Sequence, residues 1–154
     1  MTSVHPSLNR LALQATTHCL TGCAIGEVAG MVIASALGWG AFAAVIVSVI
    51  LAFFFGYALT MRPLLASGLG VGQATRLALS ADTVSITVME ITDNAILLVI
   101  PSAMNAQLNE PLFWGSLALS LAVAGVVAFP VNRWMIGRGQ GHAVVHGAHE
   151  HAGH

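Results

Sequence analysis

Four apolar stretches, joined by short loops and each long enough to cross a bilayer as a helix, dominate this chain. They run over about residues 11–37, 41–59, 73–100 and 112–129. A span needs about 20 residues, because the hydrocarbon core is about 30 Å thick and a helix rises about 1.5 Å per residue. In that medium the backbone must satisfy its own hydrogen bonds, and runs of this length do so as helices. With 56% hydrophobic and 7% charged residues, the composition is far from that of a soluble globule. The expected fold is therefore all-α, a polytopic membrane protein of four transmembrane helices. A polar segment at residues 1–10 precedes the membrane domain at 11–137, and a histidine-rich tail follows at 138–154.

Arginine placement sets the expected orientation. The chain has five arginines and no lysine. Arg10 precedes the first span, Arg62 and Arg76 lie between the second and third, and Arg133 and Arg138 follow the fourth. The loops at 38–40 and 102–111 have none. Under the positive-inside rule both termini are cytoplasmic, with the protein in the inner (plasma) membrane and the lipid bilayer as its main partner. Trp39, Trp114 and Trp134 fall at the expected interfaces. A net charge of −1 points to no nucleic-acid partner. The N-terminus MTSVHPSLNRLALQ lacks the basic start, apolar run and cleavage site of a secretory signal, so the first span is expected to stay.

Within the first span, Thr17 to Ser35 carries two unlike ridges at four-residue spacing. One is His18, Gly22, Gly26, Gly30, Ala34; its neighbour is Cys19, Cys23, Glu27, Met31, Ser35. Residues four apart stack on one helical face. Gly22, Gly26 and Gly30 invite close helix packing, and with the small residues of the fourth span they are the expected contacts for a dimer or trimer. The second ridge offers thiol, thiol, carboxylate and thioether. An ionisable group at that depth is costly in hydrocarbon and points to a site.

The third span places Asp82, Ile86, Glu90, Asp93, Asn94 and Leu97 on one face. The first and third spans run in the same direction, so their depths can be compared. Asp82 falls near His18 and Cys19, while Glu90 and Asp93 fall near Glu27 at about mid-membrane. Clustered carboxylates in a low dielectric must share protons or hold a cation. The plainer alternative places Asp82 at the interface beside Arg76, with Glu90 and Asp93 as structural hydrogen-bonding groups.

Imidazole and thiolate suit zinc and copper, and thioether with thiolate suits copper(I). His18, Cys19, Cys23 and Met31 are therefore candidate metal ligands, with copper or zinc the expected ion. Alone, each cysteine reads as a small buried packing residue; the ridge shared with Glu27 turns the reading toward ligation. A disulfide four residues along one helix would be strained. Glu27, Asp82, Glu90, Asp93 and Asn94 are the candidate ion path or proton-coupling groups. In the tail, His142 and His146 are spaced to chelate on a helix near the membrane, ahead of His149, His151 and His154. A solvated tail with incidental metal affinity fits that composition as well.

The segments HCLTGCAIGEVAGM, LSADTVSITVMEITDNA and FPVNRWMIGRGQGHAVVH together resemble a family of small prokaryotic membrane proteins defined only as a domain of unknown function. The resemblance covers nearly the whole chain beyond residue 10. It implies a four-span membrane fold and no established reaction. It also implies, through relatives joined to cupredoxin-like copper-binding modules, an association with copper.

The expected function is metal-cation binding and passage by a transporter or channel rather than an enzyme. One rival is a membrane redox or haem protein that uses Cys19, Cys23 and His18. Another is a non-catalytic assembly partner.

Overall fold

The computed structural model describes residues 7–139. These form four long helices, α1 (Leu8–Ala36), α2 (Ala41–Ala66), α3 (Val71–Val99) and α4 (Pro111–Gly137), with a 3-10 turn at Ala103–Asn105 between the last two. The ends follow local chemistry. Ser7 caps α1 by accepting from the Arg10 N–H at 3.3 Å, and Pro111 opens α4 where no donor is needed. Gly38 and Gly68 adopt positive φ, 66° and 90°. That lets the N–H of Trp39 reach back to the Ala34 carbonyl and that of Leu69 to the Leu64 carbonyl, a tight stop that reverses the chain.

Two helices run further than the sequence indicates. Stops are expected at residues 59 and 129, before Pro63 and Pro130, yet α2 reaches Ala66 and α4 reaches Gly137 with those prolines inside. Each proline removes one backbone donor. Both lie within the last two turns of their helices, where few further ladder bonds are at stake.

α1, α2 and α4 are each long and apolar enough to cross a membrane; α3 is as long, but its polar and acidic residues keep it out of that class. The outer surface is broadly apolar, with Phe42 80%, Phe54 61%, Ile91 67%, Leu98 71% and Val126 74% exposed. Exposed apolar area on this scale marks a membrane protein.

The most extensive helix contact joins α1 to α2. The buried stripe of α2 is Ala44, Ser48, Ala52, Gly56, Thr60 and Leu64, small for most of its length at four-residue spacing. It meets the glycine ridge of α1 in antiparallel register. A methyl group added at Gly22 would meet the Gly56 backbone at 2.8 Å, one at Gly26 the Ala52 backbone, and one at Gly30 Ser48. His18 extends the series, its Nε2 lying 2.7 Å from Thr60 Oγ1. The glycine ridge is therefore consumed inside the chain and is not left for a second subunit. The reason is that α2 carries a shallow face of small residues able to take it.

α4 closes the bundle against α1 and α3. Asn132 Nδ2 donates to Thr16 Oγ1 at 3.0 Å, and Arg133 Nε to Asn9 Oδ1 at 2.7 Å, so the start of α1 and the end of α4 lie together. α1 and α3 also touch across the bundle, and most of the buried polar side chains of these two helices collect there.

Replacing Gly26 with alanine should lower stability by about 1–3 kcal/mol, the usual cost of overpacking, because the new methyl has only backbone to push against. Gly115→Ala, where nothing lies within 4 Å, should be neutral or slightly stabilising. Thermal unfolding in detergent compares the two; equal midpoints would contradict the ridge packing.

Candidate functional site

The packing of the glycine ridge on α2 fixes how α1 is rotated. One residue further along a helix is a turn of about 100°, so Cys19, Cys23 and Glu27 point away from α2 and toward α3. Cys19 and Cys23 are buried thiols, 0% and 1% exposed. Cys19 Sγ donates to Asp82 Oδ1 at 3.7 Å, with Ser85 beside it. Cys23 lies beside Glu90. Glu27 is half-buried and shares its surroundings with Asp93 and Glu90. The depth match expected from the sequence thus appears as side-chain neighbours: Asp82 at the level of Cys19, and Glu90 and Asp93 near Cys23 and Glu27.

The acids of α3 are deeply enclosed: Asp82 0%, Glu90 5% and Asp93 1% exposed. Asp82 is therefore enclosed by the bundle and not exposed on its surface. Asp93 accepts from Ser120 Oγ of α4 through Oδ1. Its other oxygen, both carboxylate oxygens of Glu90 and Oε1 of Glu27 are buried without a hydrogen-bond partner among the described residues. Asn94 turns its amide to the Glu90 carbonyl at 2.9 Å and borders a small cavity together with Glu27 and Met31.

The proposed soft ligands do not converge on one point. His18 turns to Thr60 on α2, while Cys19 and Cys23 face different acids. Met31 lies beyond Glu27, about 20 Å from His18 along the axis. Four-residue spacing strings donors along a helix, and no group of three or more His, Cys, Asp or Glu among the described residues is close enough to hold a metal ion. His142 and His146 lie outside the described residues. Ser120 and Thr60, which partner Asp93 and His18, are not singled out by the sequence reading. Their signal is position, since each sits at four-residue spacing within a stripe of small side chains.

Over residues 9–141 the sequence matches the family model described as Domain of unknown function (DUF4396). The chain belongs to the DUF4396 family. No curated protein and no solved structure matches it. In this DUF4396 member, the match takes in every thiol and carboxylate of the buried line, and ends before His142.

With both thiols enclosed, a maleimide should label neither Cys19 nor Cys23 in the native protein and both after denaturation. Mass spectrometry of the labelled chain reads the count. Rapid native labelling at either cysteine would contradict the packing.

Proposed function

We propose that the protein carries a cation across the membrane, with the thiols and carboxylates between α1 and α3 as its route and copper or zinc as the cation. The observation that carries the reading is the set of buried carboxylate oxygens on Glu27, Glu90 and Asp93 that make no hydrogen bond of normal length among the described residues, with only the Cys23 thiol approaching Glu90 and the Ser48 hydroxyl approaching Glu27. A buried polar group without a partner costs free energy, and a buried charge far more, unless a proton or cation offsets it. Three such groups at neighbouring depths form a place where positive charge is wanted.

The distribution of donors favours passage over storage. Conduction needs sites attractive enough to enter and weak enough to leave. Pairs such as Cys19 with Asp82 and Cys23 with Glu90 are of that kind, each about one turn from the next. Protons can share the same groups, which supplies a means of coupling.

In this reading α3 spans the bilayer as a fourth helix. Its hydroxyls support that, since Thr75, Thr83, Thr87 and Thr92 each donate to the carbonyl four residues back and need no water. The five arginines collect at the end of the bundle that holds both helical termini, which supports a cytoplasmic assignment for that end and an inner-membrane location. Assembly as a dimer or trimer is part of the proposal. The exposed small side of α4, Gly115, Ala118 and Ala122, remains for a second copy after the glycine ridge is taken. The redox alternative is less well served, because each cysteine faces an acid and His18 is engaged by Thr60.

The test is uptake into proteoliposomes offered Cu(I), Zn(II), Ni(II), Na(I) or protons. Glu27→Gln and Glu90→Gln keep size and hydrogen-bonding capacity, and each should abolish flux with little change in thermal stability. If both variants retain normal flux, the route lies elsewhere; if stability falls while flux per complex is unchanged, the carboxylates are structural.

A further inference from the structure

Two cavities meet at the end of the bundle away from the arginines. The outer one, about 380 Å³, opens between the turn joining α1 to α2 and the segment around Ala103–Asn105, with Trp39, Asn105 and Gln107 in its wall. The inner one, about 40 Å³, lies deeper and is bordered by Glu27, Asn94 and Ser48. Both are lined by Met31 and Met104. Met104 is delivered there by the 3-10 turn, which tucks Ala103 and Ala106 into the bundle, both at most 5% exposed.

We infer that Met31 and Met104 form a thioether pair that takes a soft monovalent cation, copper(I) or its analogue silver(I), from the outer cavity and hands it to Glu27. The inference deepens the proposed function by naming the class of cation and the mouth it uses. Thioether sulfur is neutral and polarisable; it binds copper(I) and its analogues well and discriminates against harder divalent ions. Methionine often serves as a filler of irregular gaps. These two do not fill the gap but border it, both are half-buried, and the inner void exceeds the space one water needs. Charge agrees with donor chemistry. Neither cavity has an arginine in its wall, and Glu27, whose Oε1 is buried without a hydrogen bond of normal length among the described residues, borders the inner one. A cation leaving the neutral sulfurs therefore meets a carboxylate next, then the line through Glu90 and Cys23.

The test uses the full chain in lipid nanodiscs, with its methionines labelled at the methyl carbon and observed by NMR during titration with silver(I). The six methionines report separately, so binding by the tail histidines or by the cysteines does not blur the reading. The methyls of Met31 and Met104 should shift together and saturate, while Met61 and Met135 stay in place. Zinc(II) should leave the pair unmoved. Met31→Leu should remove the response of Met104, and Met104→Leu that of Met31. Unmoved Met31 and Met104 methyls in the wild-type chain, or an equal response to zinc(II), would overturn the inference whether or not the variants fold. Silver(I) binding at the pair without any flux in proteoliposomes would instead sink the transport reading and leave this site standing. Flux without a methionine response would do the reverse.

Discussion

The close approach of α1 and α2 is the constraint on which the remaining structure depends. Glycine on one side and a small stripe on the other let two backbones come nearer than side chains normally permit, and such contacts supply much of the association energy where no hydrophobic effect acts between helices. The ridges meet at Gly22 with Gly56, Gly26 with Ala52 and Gly30 with Ser48, which sets the rotation of α1 on α2. Fixing that face of α1 fixes the neighbouring one. Cys19, Cys23 and Glu27 are thereby turned into the bundle against α3, and α4 closes over them through Ser120 and Asn132.

The bundle deals with its polar groups in two different ways. Many hydroxyls are absorbed locally: Thr16, Thr17, Thr21 and Ser116 donate to carbonyls of their own helix, as do Thr75, Thr83, Thr87 and Thr92 of α3. These side chains can face lipid or packed protein without needing anything else. The carboxylates are not treated this way. Glu27, Glu90 and Asp93 keep oxygens that nothing in the described residues satisfies, although serines and threonines are plentiful nearby. A sequence under pressure only to pack would have supplied donors or removed the acids. Ser85 Oγ and Asn132 Oδ1 are also buried without a partner among the described residues, but it is the grouping of the carboxylate oxygens at neighbouring depths that gives the cation reading its weight.

Much of this was legible in the chain. Periodicity revealed both ridges of α1, and equal depth along parallel helices brought Cys19 to Asp82 and Glu27 toward Glu90 and Asp93. The partner of the glycine ridge was not read, because hydropathy hides it: Ser48, Gly56 and Thr60 sit among phenylalanines, isoleucines and valines, and the second span looks uniformly greasy. Only the steric profile at four-residue spacing reveals the stripe. The helices run past the ends expected at residues 59 and 129 because a proline near a C-terminus breaks fewer ladder bonds than one at mid-helix. Met104 was invisible for another reason. It lies in a loop without periodicity, and its place beside Met31 exists only once the 3-10 turn folds back onto the bundle.

The central claim is that the buried carboxylates exchange a proton for a cation. Infrared difference spectroscopy of the protein in lipid, recorded on addition of silver(I), observes that exchange at the groups themselves. The account predicts loss of a protonated-carboxyl stretch with gain of carboxylate bands, both diminished in Glu90→Gln. A spectrum without carboxyl changes, from protein shown to have bound the ion, would contradict it.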